Sequence, residues 1–157
     1  MPNSRKFKVV LIGDANVGKT SLLNKLISNY CNNEHNPTVG TNCGIWTFPK
    51  KDDSISLQIW DTAGEERYRA LGSIFYRNAD AGLLIYSQSD PESSKSLHTW
   101  LECFRKIAGD NVCVAVIANK SDLKKEESTE IKDWAYRENL LFFEASANLL
   151  AVVFNFC

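Results

Sequence analysis

The sequence lacks a strong charge of either sign. Its 157 residues carry 18 Lys and Arg against 19 Asp and Glu, which gives a net charge of −1, and the two signs are interspersed. Because nucleic acids and anionic membranes are bound through concentrated Lys and Arg, this balance argues against both as partners. No apolar run approaches the ~20 residues of a membrane-spanning helix. Internal repeats and low-complexity segments are also absent.

The five cysteines are odd in number and lack the paired spacing of a metal site. No secretory signal opens the chain, so the thiols are expected to be reduced and the protein cytoplasmic. The length and the 44% hydrophobic content suit a single domain spanning residues 1–157. The cysteines are Cys31, Cys43, Cys103, Cys113 and Cys157.

Residues 13–20 form a G-x-x-x-x-G-K-T phosphate loop between an apolar run, Phe7 to Ile12, and an amphipathic helix that begins near Ser21. At such a helix start, unpaired N–H groups and the helix dipole attract phosphate oxygens. Lys19 is predicted to reach the terminal phosphates and the Thr20 hydroxyl to bind Mg²⁺. The predicted nucleotide contacts here are Asp14, Ala15, Asn16, Val17, Gly18, Lys19, Thr20 and Ser21.

The remaining chain alternates apolar runs with amphipathic segments, which predicts an α/β fold: a six-stranded, mostly parallel sheet with helices on both faces. The runs 44–48 and 54–60 are too close for a crossover helix and should form an antiparallel hairpin. Further strands are expected at 81–86, 112–118 and 140–143.

Two more helices are predicted from their caps. Asp90 caps the first, Pro91 fits its first turn, and Gly109 ends it. Ser128 can cap the second, which buries apolar residues and stops near Asn139. The expected buried positions are Leu97, Trp100, Leu101, Phe104 and Ile107 in the first helix, and Ile131, Trp134 and Ala135 in the second.

Three polar segments follow predicted strands, where ligands collect in open α/β sheets. Asp61 to Gly64 offers a carboxylate for Mg²⁺ and an unobstructed N–H for a γ-phosphate. Asn119-Lys120-Ser121-Asp122 ends in a carboxylate that can accept hydrogen bonds from N1–H and the amine of guanine, a donor pair that adenine lacks. In the third segment, Glu144 to Ala147, the Ala147 N–H could donate to guanine O6.

These motifs resemble those of small GTPases of the Ras superfamily, and the segments 57–64, 66–69 and 75–79 resemble the Rab branch. The similarity covers roughly residues 6–148. It implies the P-loop GTPase fold, binding of GTP, GDP and Mg²⁺, GTP hydrolysis, and a switch in vesicle trafficking. It also implies effectors, an exchange factor and an activating protein as partners.

The resemblance further assigns residues by position. Thr38 corresponds to a Mg²⁺ ligand of the first switch, beside Thr20 and Asp61, and the catalytic set would be Lys19, Thr38, Gly64 and Glu65. The nucleotide contacts would extend to Tyr30, Thr38, Gly64, Asn119, Lys120, Asp122, Ser146, Ala147 and Asn148. The apolar effector triad would be Cys43, Trp60 and Phe75, although plain core packing of the two aromatics is equally open.

Several residues depart from the family pattern. Glu65 stands where glutamine is usual, so it loses a donor and adds charge beside the γ-phosphate. Hydrolysis should slow, unless a raised carboxyl pKa lets Glu65 act as a base or donor. Ala15 and Asn16 should crowd the path of an arginine finger. Cys31 replaces the aromatic that stacks on guanine, with Tyr30 one residue earlier.

The termini also differ from the pattern. Residues 1–5 should be a short extension, and 148–157 a truncated terminal helix in which Asn148 replaces a lysine. Cys157 matches no prenylation motif, so anchoring by that route is not expected, and peripheral membrane association stays open. Three functions remain open: a cycling GTPase, a non-cycling GTP-binding module, and a truncated form without function.

Overall fold

Strands and helices alternate along the chain. A computed structural model describes residues 3–30, 43–49, 53–62, 74–123 and 129–147. The strands are β1 (Asn3–Ile12), β2 (Cys43–Pro49), β3 (Asp53–Asp61), β4 (Ala81–Ser87), β5 (Cys113–Asn119) and β6 (Leu141–Glu144). The helices are α1 (Lys19–Tyr30), the short α2 (Glu92–Lys95), α3 (Leu97–Ala108) and α4 (Thr129–Arg137).

The six strands form one sheet in the order β2-β3-β1-β4-β5-β6. β2 and β3 pair antiparallel as a hairpin, and all other neighbours pair in parallel. This confirms the predicted α/β sheet with a single antiparallel edge strand. Because the carboxyl ends of the parallel strands share one edge, the segments that follow β1, β3, β5 and β6 are brought together there.

Both faces of the sheet are covered by helices. Val10 and Ile12 of β1 belong to one core cluster, whereas Val9 and Leu11 belong to the other, as the two-residue period of a strand requires. Helices α3 and α4 pack on the first face and α1 on the second. At Gly82 a Cβ would lie 2.5 Å from Phe104 Cε1, so the glycine permits the close packing of α3 on β4.

The helix predicted after Asp90 is divided at Ser96 into α2 and α3. Asp90 does cap it, since its Oδ1 accepts the N–H of Glu92 at 3.1 Å, and Gly109 with a φ of 99° ends it. The buried face was predicted correctly except for Ile107, which is 38% exposed. Ile107 lies in the last turn, where it borders a surface cleft instead of the core.

The other boundaries are close to those predicted. Strands β5 and β6 are shifted by one residue, α4 is followed by Asn139 at a φ of 57°, and Ile131 is only half-buried. Asn3, Ser4 and Arg5, expected to be an extension, pair with β3 as part of β1. The predicted cap Ser128 and the segment 148–157 lie outside the described residues. Within the described ranges, no helix is long and apolar enough to cross a membrane.

Candidate functional site

The loop between β1 and α1 follows a path that its glycines make possible. Gly13 has a φ of 151° and Gly18 a φ of 96°. A Cβ on Gly13 would overlap the carbonyl oxygen of Ile85, and one on Gly18 would overlap the Nδ2 of Asn119. Asn16 also has a positive φ, 63°, a conformation that asparagine tolerates better than most residues. The loop is thus pressed against the ends of β4 and β5.

Lys19 is held inside this loop. Its side chain is 6% exposed, and its Nζ donates to the carbonyl oxygens of Gly13 at 2.8 Å and Asp14 at 2.6 Å. Burial lowers the pKa of Lys19 below its usual value, although the carboxylates of Asp61 and Asp14 oppose that shift. An anionic phosphate would be a stronger acceptor than these neutral carbonyls, so the ammonium group is poised to bind one.

A hydroxyl and a carboxylate meet beside the loop. Thr20, at the start of α1, donates from Oγ1 to the Oδ2 of Asp61 at the end of β3, at 2.5 Å. The neighbouring Thr62 hydroxyl donates to the Leu11 carbonyl oxygen at 2.6 Å and ties the end of β3 to β1. Oxygen ligands of this kind are those that Mg²⁺ prefers, so the pair fits the predicted metal ion.

The segment after β5 is bonded to the glycine loop. Asn119 is 1% exposed and donates from Nδ2 to the Val17 carbonyl oxygen at 2.7 Å. Its buried Oδ1 has no hydrogen-bond partner among the described residues. Lys120, with a φ of 57°, extends its Nζ to the Asn16 carbonyl oxygen at 2.7 Å. These two bonds fix the distance between the phosphate loop and the end of β5.

Asp122 is oriented by the segment after β6. The buried Ser146 donates from Oγ to the Asp122 Oδ1 at 2.7 Å. Main-chain bonds from Ser121 N to the Ala145 oxygen, at 3.1 Å, and from Ala145 N to the Ala118 oxygen, at 2.9 Å, hold the two segments together. A carboxylate fixed in this way is suited to reading a ligand with paired N–H donors.

Most of the predicted nucleotide contacts therefore converge on one edge of the sheet. Ala15 and Ser21 are exposed on the loop and at the start of α1, and Ala147 follows Ser146 directly. The predicted residues outside the described part of the chain are Thr38, Gly64, Glu65 and Asn148, and with them Cys31, Cys157 and the side chain of Tyr30.

The structure brings the three predicted effector residues together. Cys43 is opposite Trp60 in the β2–β3 register, and the rings of Trp60 and Phe75 lie 5.4 Å apart between centroids. All three are half-buried, and Lys8 Nζ lies 5.6 Å from the Trp60 ring centroid. Phe75 also packs against the core, so the patch combines surface and core character. Burial raises the pKa of the Cys43 thiol.

Sequence reasoning missed the partners of Asp14. Its carboxylate accepts hydrogen bonds from Ser96 Oγ at 2.8 Å and Trp100 Nε1 at 2.7 Å. Trp100 was predicted only as a core residue, yet a buried indole N–H usually requires an acceptor, which was the available signal. Asp14 was predicted to contact the nucleotide. Because its carboxylate is bonded to Ser96 and Trp100, that contact would be made by its main chain.

Comparisons with known proteins agree with this geometry. The Ras family profile matches residues 8–155. The Ras-related protein RABA1c of Arabidopsis thaliana is 40% identical over 144 residues, 90% of this chain and 67% of its own length. Rab-11.1 of Caenorhabditis elegans and Rab-11A of Dictyostelium discoideum are each 39% identical over 144 residues, which is 90% of this chain and 68% and 67% of their own lengths, so the chain spans about two thirds of these relatives. The chain therefore belongs to the Ras family and is a Rab-like small GTPase.

Proposed function

We propose that this chain is a guanine-nucleotide-dependent switch in vesicle trafficking that binds GTP and GDP with Mg²⁺ and hydrolyses GTP, with a reduced intrinsic rate. The observation that carries the proposal is the pair of bonds from Asn119 and Lys120 to the phosphate loop. They join the predicted base-reading segment to the predicted phosphate site at a fixed spacing. A ligand with a base at one end and phosphates at the other spans both.

Guanine is assigned to the end of the site near Asp122. Its carboxylate accepts from the N1–H and the exocyclic amine, with Ser146 holding it in place. The Ala147 N–H and Asn148 would complete the base contacts, and Tyr30 would stack on the face of the base if the backbone there adjusts. The buried Oδ1 of Asn119, which has no partner among the described residues, is a further acceptor next to this space.

The phosphates are assigned to the loop and to Lys19, with Gly64 supplying an N–H to the γ-phosphate. Thr20, Asp61 and Thr38 would hold Mg²⁺, which neutralises phosphate charge when it is bound. The proximity of the Thr20 hydroxyl to the Asp61 carboxylate supports two of these ligands. Both groups are fixed by secondary structure, Thr20 by α1 and Asp61 by β3.

Partners are proposed from the same resemblance. The half-buried patch of Cys43, Trp60 and Phe75 would bind effectors, and the small Cys43 would alter effector choice. An exchange factor and an activating protein would drive the cycle. The relatives named Rab support a trafficking role at a membrane surface.

A non-cycling GTP-binding module is the second candidate, favoured by Glu65, Ala15 and Asn16 in the sequence. Single-turnover hydrolysis by the purified chain preloaded with GTP, with and without a Rab-directed activating protein, separates the two. A cycling enzyme converts the bound GTP to GDP in at least one condition. GTP that stays intact in both identifies the module, and failure to bind GTP at all contradicts both candidates.

Removal of Mg²⁺ should speed nucleotide release. A chelator leaves the phosphate charges balanced only by Lys19 and the loop amides, so bound GDP should dissociate several times faster than in excess Mg²⁺. Stopped-flow fluorescence of a labelled GDP measures both rates. In Thr20→Ala, which lacks the proposed hydroxyl ligand, the difference between the two conditions should shrink. Equal release rates of the unaltered chain in both conditions would rule out the metal site.

A further inference from the structure

Asp14 connects the phosphate loop to helix α3. One carboxylate oxygen accepts from Trp100 Nε1 at 2.7 Å and the other from Ser96 Oγ at 2.8 Å. Ser96 directly precedes α3, and Trp100 lies in the first turn of that helix. Trp100 is 86 residues from Asp14 along the chain. We call this set of three side chains the Asp14 clamp.

The indole donor of the clamp is held in place by packing. Trp100 is 2% exposed and packs in the core cluster beneath α3, so its indole N–H has a fixed position. Bonds from such donors to a carboxylate are stronger than neutral ones and gain strength where water is excluded. The clamp also gives each carboxylate oxygen of Asp14 a hydrogen-bond donor at the start of α3.

The main chain of Asp14 links the clamp to the buried lysine of the site. Its carbonyl oxygen accepts from Lys19 Nζ at 2.6 Å, next to the Gly13 carbonyl that accepts at 2.8 Å. A shift of Asp14 toward or away from α3 would therefore move the acceptors of the buried lysine. The same shift would move the loop amides expected to face phosphate.

We propose that Asp14 is a positioning residue: the Asp14 clamp sets the loop in the conformation that binds nucleotide and thereby slows nucleotide release. The inference rests on the proposed function, because it assumes that the loop binds phosphates. It predicts that a substitution that removes a clamp bond accelerates nucleotide release, whereas a similar substitution elsewhere in the same core does not.

Trp100→Phe is the first test, with Trp134→Phe as its matched control. Trp134 is 5% exposed, lies in the same core cluster, and its Nε1 has no hydrogen-bond partner among the described residues. Both variants lose an indole, but only Trp100→Phe loses a bond to a carboxylate. Release of N-methylanthraniloyl-GDP should accelerate about tenfold in Trp100→Phe and stay near the unaltered rate in Trp134→Phe.

A double-mutant cycle tests whether the bonds act as one unit. Asp14→Ala combined with Trp100→Phe should release the labelled GDP no faster than Asp14→Ala alone, since the first change already removes the clamp. If Asp14→Ala fails to fold, Ser96→Ala takes its place: it removes only the hydroxyl that donates to Asp14, and it should give a smaller acceleration than Trp100→Phe. Effects that multiply independently would overturn the proposal.

A readout without nucleotide separates this inference from the proposed function. The indole ¹H–¹⁵N resonance of Trp100 should shift in Asp14→Ala or Ser96→Ala, while that of Trp134 stays in place. If the unaltered chain binds no labelled GDP, the proposed function fails, whereas the resonances still report the clamp. If it binds GDP but Trp100→Phe and Trp134→Phe release it equally fast, the inference is overturned and the function stands.

Discussion

Asp122→Asn should convert the chain from a guanine-binding to a xanthine-binding protein. An amide presents one acceptor and one donor where the carboxylate presents two acceptors, so its NH₂ group meets the exocyclic amine of guanine donor to donor. Xanthine carries a carbonyl in place of that amine and restores the pairing. Sites built to hydrogen-bond a polar group discriminate by about 10⁴ or more against a ligand that leaves it unpaired.

The surroundings of Asp122 should allow this change of base preference without a rearrangement of the site. Ser146 donates to Asp122 Oδ1 at 2.7 Å, and an asparagine oxygen in the same place keeps that bond. Competition between GDP and xanthosine diphosphate for the purified variant measures the change. Asp133→Asn, the same chemical change at an exposed position of α4, should leave the preference for GDP intact. An Asp122→Asn variant that still prefers GDP would show that another residue reads the base.

The parts of the fold that were predictable are those with an apolar signal. The parallel strands β4 and β5 are apolar runs buried in the sheet, and the loop at 49–53 is too short for anything but a hairpin. The first residues of β1 escaped prediction because they are polar: Arg5 and Lys6 are exposed, so the strand there depends on main-chain pairing with β3.

The break at Ser96 was not predictable for a related reason. The segment 92–96 is polar and rich in serine, and no apolar period marks where α2 stops and α3 begins. Ile107 fits the period of the helix but lies in its last turn, beyond the core. The apolar period shows which face of a helix is apolar, but it does not show how far along the helix the surface that covers this face extends.

Within the site, the motifs predicted the residue types but not the bonds among them. The contact of Asn119 with Val17 and that of Asp14 with Trp100 join residues 102 and 86 positions apart. Such bonds depend on how α3 and β5 lie against the loop, which no local pattern encodes. The motif predicts that Asn119 and Lys120 are parts of one site, and the structure adds that both side chains donate to main-chain oxygens of the phosphate loop.

Two reversions should separate intrinsic from activated hydrolysis. Glu65→Gln replaces an ionised carboxylate with an amide that can accept from the attacking water and donate toward the γ-phosphate. Each well-placed donor to developing charge is worth on the order of 10² in rate, so intrinsic hydrolysis should rise markedly. Glu65→Ala is the control: if removal of charge alone explains the gain, it should accelerate hydrolysis as well as Glu65→Gln does.

The activated reaction should respond instead to Ala15→Ser combined with Asn16→Gly. Both side chains are exposed on the loop, where an arginine from an activating protein would approach. An arginine finger contributes roughly 10³ to 10⁵ in kcat, so even partial exclusion is measurable. The Asn16 main chain has a φ of 63° and its oxygen is held by Lys120, a conformation that glycine also adopts. The double reversion should therefore raise the activated rate while the loop keeps its main-chain path.

The two sets of changes should affect different rates: Glu65→Gln the intrinsic rate, and the double change at residues 15 and 16 the activated rate. Activating proteins of this class, as the family resemblance implies, supply a glutamine as well as an arginine in trans, so Glu65→Gln should change the activated rate far less than the intrinsic one. Single-turnover hydrolysis of both variants, with and without the activating protein, gives all four rates. If Glu65→Gln hydrolyses GTP no faster than the unaltered chain, the negative charge of Glu65 does not slow hydrolysis, and Glu65 is then a working substitute for glutamine.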